Sequence, residues 1–311
     1  MTSSKISPNV DAAPLGIYCF SPAGAVRTLD RFDTAIATLK KQGYAVQIDK
    51  TALVTSQRFA GTDKQRIAAF DRAAASKNEV ALITRGGYGI TRLLPDLDCK
   101  ALAQANKRWV GFSDFTAFQL AMLAKAKTIT YSGPALLEDF GAPEVDEDRE
   151  LTHAMFAEAM RDDHELLGFT TKAPAAYKAF EAQGILWGGN LSVLCSLQGS
   201  EFFPKVRGGL LMLEDVAEPP YRVERMLTQL LHSGVIDSQK AVLLGNFNHY
   251  KISPHDDGFD IPGVVKWLRS KTKTPIITGL PIGHAPLKFT LPHGAKIGLA
   301  IEGGTCYLLM H

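Results

Sequence analysis

Several short segments of this chain set reactive side chains beside turns. In RWVGFSDFTAF an apolar run, Trp109–Phe112, ends at Ser113, and a helical pattern opens at once with Asp114. A strand that turns directly into a helix lifts its junction side chain out of the sheet. It also sets that side chain beside free N–H groups that stabilise a developing oxyanion. The wording G-x-S-x-F departs from the G-x-S-x-G turn of α/β-hydrolases, and serine is a frequent helix cap. Taken alone, Ser113 reads as the cap. In GGLLMLEDVAEPPYRVERMLTQLL an apolar strand runs out at Glu214–Asp215, acids placed to orient a histidine, whereas Glu218 falls in the Pro-flanked turn beyond. Of eight histidines, His284 is the one on a constrained Pro- and Gly-punctuated loop after a strand, where a general base is well held. His293 reads as part of a second turn, and a loop histidine without a role is the plainer reading of His284.

Two glycine segments complete the set. ALITRGGYG places Gly86, Gly87 and Gly89 behind a strand, so a ligand can approach bare backbone N–H donors. That pattern suits a phosphate cradle, one wall of an oxyanion hole, or a plain turn, and it matches neither GxGxxG nor the Walker A spacing. Arg85 beside it is suited to orienting a carboxylate, or is an ordinary surface arginine. The WGGN run, Trp187–Asn190, reads as a turn that offers an indole and an amide to a peptide, or one simply packed by Trp187.

The elements that must position these residues alternate in the first half. Strands are expected over Leu15–Phe20, Ala45–Ile48, Ala81–Thr84, Trp109–Phe112 and Thr128–Tyr131. Helices are expected over Asp30–Gln42, Asp63–Ser76 and Asp114–Ala126, with a mixed stretch at Arg92–Asn106. Such alternation implies a mostly parallel sheet covered on both faces, whose binding groups gather at the carboxyl ends of its strands. From Glu138 to Lys178 the pattern loosens, with a short helix at Leu151–Ala159, and the passage between two domains is placed near residue 170. Strands at Gly209–Leu213, Ala241–Leu244, Ile276–Thr278, Ala295–Ala300 and Thr305–Leu309 follow, with helices at Tyr221–Ser233 and Ile261–Lys271. The second half is therefore expected to be a smaller α+β unit, giving domains 1–170 and 171–311.

Composition narrows the partners. Across 311 residues, 34 Lys+Arg balance 32 Asp+Glu, with no basic stripe or acidic tail for nucleic acid or a membrane surface. A small neutral or zwitterionic partner fits better. The start, MTSSKISPNVDAAPLG, lacks the apolar run of about 7–15 residues that follows a basic start in a secretory signal. No stretch reads as a transmembrane helix. The cysteines at 19, 99, 195 and 306 are scattered, so buried reduced thiols are expected and neither a disulfide framework nor a zinc site is. These features point to the cytoplasm, with no metal and no cofactor.

Together, RGGYG…RLLPDLD, VGFSDFTAF, GGNLSVL, LEDVAEPPYRVERMLTQL and GLPIGHAP…LPHG resemble the LD-carboxypeptidase family of serine peptidases, from about Gly16 to about Gly298. The resemblance implies a flavodoxin-like or glutamine-amidotransferase-like N-terminal domain, a separate C-terminal α+β domain and a site between them. It implies Ser113 as nucleophile, His284 as general base, Glu214 as the acid that holds the histidine, and the N–H groups of Gly87 and Asp114 as the oxyanion hole. Its substrate class is the muropeptide tetrapeptide of recycled peptidoglycan, cut before a terminal D-Ala, and it implies a homodimer. A second reading in the same superfamily is a self-immunity peptidase acting on a peptide-nucleotide conjugate such as processed microcin C. A third, a non-catalytic nucleotide- or sugar-binding α/β module, leaves the Glu214 and His284 segments unexplained.

Overall fold

The computed structural model describes residues 14–163, 165–171, 174, 177 and 179–310. The N-terminal segment read for a targeting signal and part of the stretch around residues 172–178 lie outside the described residues. The first half builds β1 (Gly16–Phe20), α1 (Leu29–Lys41), β2 (Ala45–Ile48), α2 (Asp63–Ala75), β3 (Val80–Ile83), α3 (Cys99–Gln104), β4 (Arg108–Gly111), α4 (Thr116–Ala126), β5 (Thr130–Ser132) and α5 (Glu147–Ala159). Strands β2, β1, β3, β4 and β5 lie side by side in that order, all parallel. This is the flavodoxin-like order, in which binding groups collect at the strand carboxyl ends.

The second half supplies β6 (Leu166–Thr170), β7 (Glu181–Asn190), α6 (Leu191–Leu197), β8 (Leu210–Val216), α7 (Pro220–His232), β9 (Ala241–Asn248), α8 (Ile261–Lys271), β10 (Ile276–Thr278), β11 (Leu291–His293), β12 (Lys296–Glu302) and β13 (Thr305–Leu309). Its seven-stranded sheet runs β10-β9-β8-β7-β12-β13-β6. The first four strands are parallel and the last four antiparallel, with β7 in both sets. The strands partition differently from a cut at residue 170. β6, ahead of that cut, already pairs with β13, and β11, far beyond it, returns to the first sheet beside β5. The chain therefore crosses between the sheets again, just after His284.

Local chemistry accounts for the main elements. A Thr62–Gln65 capping box starts α2. On α7, Pro220 opens the helix, and Val223, Leu227 and Leu230 form its buried stripe. Helix α4 has no wet face over Thr116–Leu123. The reason is its place between the sheets, where Thr116 Oγ1 accepts the N–H of Asn190 from β7 at 3.0 Å. Trp109, Phe118, Phe70 and Phe20 pack edge-on and stacked under β4 and α4, a rigid floor for the turn between them.

Candidate active site

Ser113 sits in that turn. A 3-10 turn, Ser113–Phe115, joins β4 to α4, and Ser113 has φ +63. Side chains other than glycine avoid that left-handed region, so the conformation stores strain that the surrounding packing must hold. The glycine loop makes room for it. A Cβ on Gly86 would lie 2.8 Å from both Cβ and Oγ of Ser113, so any larger residue there would displace the serine. Gly87, with φ +95, lies close against Gly24, whose N–H donates to the Gly86 carbonyl at 3.1 Å. Asp114 is buried and its Oδ2 accepts the N–H of Ile90 at 2.8 Å, which ties the glycine loop to the serine turn. Burial pushes the Asp114 carboxyl up to about 6, against the backbone N–H groups that favour its charge. The N–H groups of Gly87 and Asp114 donate to no acceptor among the described residues, which leaves both open to a ligand.

His284 lies on the loop that follows β10 of the second sheet. Its Nδ1 lies 3.0 Å from Oε2 of Glu214, a buried residue of β8. The other Glu214 oxygen accepts from Asn190 Nδ2 at 3.1 Å. The His284–Glu214 contact requires Gly283, with φ +102, because a Cβ there would lie 2.7 Å from Glu214 Oε2. Asn248 Nδ2 donates to the His284 carbonyl at 2.7 Å, and the imidazole rests on the Phe112 ring with centroids 4.9 Å apart. Phe112 is the residue before Ser113, so the histidine lies against the Ser113 turn.

The neighbouring acids are differently engaged. Asp215 Oδ2 accepts the N–H of Ser192 at 2.8 Å at the start of α6, and burial followed by the Glu214 charge raises its carboxyl to about 6. Glu218 pairs with Arg222 at 2.6 Å, one turn along α7. Of the three, Glu214 is the one hydrogen-bonded to His284. Asn190 donates to both Glu214 and Asp215 while its Oδ1 caps α6 at Val193. It lies under the site and is 4% exposed.

Trp187 is a correction. Residues 187–190 end strand β7 and are not a turn, and the indole is fully buried, its N–H donated to Gln239 at 3.0 Å. Gly188 and Gly189 hide the strand from sequence because both hold positive φ where neighbours crowd them. A Cβ on Gly188 would meet the Met212 carbonyl, and one on Gly189 would meet Thr116 Oγ1. His293 is corrected likewise: it is a buried residue of β11, its imidazole pushed down to about 4 by desolvation.

Arg85 donates to the Ala25 carbonyl at 3.1 Å and faces Glu138 at 3.9 Å. Sequence reasoning missed Glu138. One of its carboxylate oxygens is buried without a hydrogen-bond partner, and burial, then the Asp139 charge, raises its carboxyl to about 7. Beside Asp114 opens a cavity of about 540 Å³ lined by Tyr88, Thr91, Arg92, Ser192 and Ser196. Val193 and Leu197 complete the lining, so hydroxyls and apolar side chains share it.

The arrangement brings a carboxylate-bound imidazole and unpaired backbone N–H groups to the Ser113 turn, the types of group that acyl transfer uses. The same chain matches the family model described as the LD-carboxypeptidase N-terminal domain over residues 17–133 and that for the C-terminal domain over residues 183–299. Its structure superposes on the crystal structure of muramoyltetrapeptide carboxypeptidase from Oxalobacter formigenes with a TM-score of 0.86 and 38% identity, covering 94% of this chain and 97% of that one.

The chain belongs to the LD-carboxypeptidase family.

The two-domain architecture of that family is the one described above. Among curated relatives, the probable murein peptide carboxypeptidase of Bacillus subtilis is 28% identical, covering 86% of this chain and 84% of the relative. The microcin C7 self-immunity protein of Escherichia coli is 26% identical over 94% of this chain and 93% of its own. No helix among the described residues is long and apolar enough to cross a membrane, and the four cysteines are buried and free.

Proposed function

We propose that this carboxypeptidase is a serine hydrolase that releases terminal D-alanine from the tetrapeptide of recycled peptidoglycan, with Ser113, His284 and Glu214 as its triad. The observation that carries the proposal is the Glu214–His284 hydrogen bond arriving, from the second sheet, at the strained Ser113 turn of the first. Because Nδ1 is committed to Glu214, Nε2 is the nitrogen that takes the Ser113 proton as Oγ attacks the scissile carbonyl. Glu214 stabilises the imidazolium, and the free N–H groups of Gly87 and Asp114 receive the oxyanion; each such donor is worth about 10²–10³ in rate. His284 then protonates the leaving D-alanine amine, and water repeats the sequence on the acyl-enzyme.

Every step uses side chains and backbone of this chain, with no cofactor or metal assigned a part. Arg85 is assigned to the substrate carboxylate, with Gly86 allowing the close approach. Asn190, held under the site, supports the acid and does not face the peptide. We place the enzyme in the cytoplasm as a homodimer, where recycled tetrapeptide is met. The test is labelling by a fluorophosphonate, mapped by peptide mass spectrometry. Modification confined to Ser113 is expected, and a chain modified elsewhere or not at all contradicts the triad. The similarity to the microcin C7 relative motivates a parallel assay on a peptide-adenylate. Turnover of that compound with none of tetrapeptide would transfer the reading to an immunity peptidase.

A further inference from the structure

The triad leaves a buried ion pair unused. Lys288 Nζ lies 2.6 Å from Asp139 Oδ1, with side chains 5% and 1% exposed. Asp139 belongs to the turn after β5 in the first half, where its other oxygen accepts the Ala135 N–H at 2.9 Å. Lys288 lies just beyond His284, on the loop arriving from the second sheet. Taking two charges out of water is costly, and an apolar pair of similar volume often serves stability equally well. Stability alone is therefore a poor reason for this pair.

The other contacts of Nζ point to a different role. It donates to the backbone carbonyl of Ala285, the residue after His284. It also stands 5.1 Å from the centroid of the Phe112 ring, the residue before Ser113. That ring is the one on which the His284 imidazole rests. Thr152 of α5 adds a second fastening, donating to the Pro286 carbonyl at 2.7 Å and accepting the Lys288 N–H at 2.8 Å. One ammonium group thus touches the neighbour of the base and the neighbour of the nucleophile, while Asp139 anchors it to the first half.

We propose that Lys288, through its pair with Asp139, is a positioning residue that fixes the His284 loop on the first half so that the base faces Ser113. The inference rests on the triad proposed above. The side chain touches no reacting atom. Its effect is on the distance and angle between two groups that approach from different sheets, and a misplacement of about 1 Å at such a site costs about 10²-fold.

Lys288→Met alone strands a buried carboxylate, so the decisive variant is K288M/D139N, which removes both charges at nearly constant volume. Asp49→Asn is the control. Asp49 holds a separate buried network with Arg72 and Tyr18, so its loss lowers stability without touching the loop. The expected result for K288M/D139N is a folded protein whose kcat falls about 10–100-fold with KM within about threefold. Fluorophosphonate labelling of Ser113 should slow in parallel, while D49N keeps its kcat. A folded K288M/D139N with wild-type kcat and labelling, or with a change confined to KM, overturns the positioning role. So does a double variant that fails to fold, because the pair would then serve the fold. A wild-type protein that does not label at Ser113 would remove the triad and this inference with it, and that outcome is visible before any variant is made.

Discussion

Ser113 sits at one strand-to-helix junction, Phe112 to Asp114, against a single neighbouring glycine loop, whereas His284 is held by groups from several distant stretches. Glu214, Asn248 and Phe112 each fix a different part of the histidine, and Lys288 and Thr152 fasten its loop. The serine stores strain locally, in a φ of +63. The histidine has no local strain to report and depends on two sheets being docked correctly. A local device survives distant perturbation, while a long-range one fails whenever any of its supports moves.

The largest effects fall on the two residues themselves. Ser113→Ala and His284→Ala are each expected to lower kcat by roughly 10³–10⁶ with circular dichroism unchanged. Near-normal turnover by either folded variant would remove the comparison altogether. Next is the acid. Glu214→Gln should cost roughly 10²–10⁴ in kcat by misassigning the imidazole tautomer, whereas Glu218→Gln, paired only with Arg222, should stay within about threefold. A larger loss at Glu218 would show that the long-range support of His284 has been traced to the wrong side chain.

Gly283→Ala sharpens the contrast further. Its Cβ would press on Glu214 Oε2 at 2.7 Å, in a backbone conformation that disfavours side chains. A loss of about 10²-fold in kcat is expected, with fluorophosphonate labelling slowed in step. Unchanged turnover in Gly283→Ala would mean that the Glu214–His284 bond tolerates displacement.

This contrast also explains what could be read from sequence. Strands β1 to β5 and helices α1, α2, α4, α7 and α8 are legible because each is announced within its own apolar pattern. Strand β7 is not, since Gly184, Gly188 and Gly189 depress its strand signal and are required by close contacts with the Gly208–Gly209 turn, β8 and α4 respectively. Strand β11 contains Pro292 and is only three residues long, an edge strand that sequence reads as a turn. Ser113 stands out at its junction, where the local pattern alone reads as a helix cap and the family resemblance implies the nucleophile. Lys288 and Asp139 lie 149 positions apart, so nothing local could pair them. Glu138 shows no special spacing, and only the fold reveals its unpartnered buried oxygen.

The smallest expected effect concerns Glu138. Its carboxyl is raised from 4.5 to about 7, first by burial, so the folded state favours the protonated form. The associated stability is fully present below about pH 4.5 and is lost as pH rises through about 7. Glu138→Gln should therefore exceed wild type in unfolding free energy by about 1–2 kcal/mol at pH 8, a figure reduced for the partial exposure of the side chain. The two stabilities should converge towards pH 5. A difference that is constant with pH, or that grows as pH falls, would contradict the buried-carboxyl account.

The central claim is a serine-dependent cut before a D-configured terminal residue, and one assay addresses it directly. Free alanine is followed from two tetrapeptides that differ only in the configuration of the last residue, with wild type and Ser113→Ala side by side. A carboxypeptidase must hold the terminal carboxylate and the chiral methyl together, so inversion pulls the carbonyl away from Ser113, at a cost of about 10²-fold or more. Rapid release of D-alanine by the wild type is predicted, with L-alanine released at least about 10²-fold more slowly and neither released by Ser113→Ala. Equal rates for the two peptides, or undiminished release by Ser113→Ala, would contradict it.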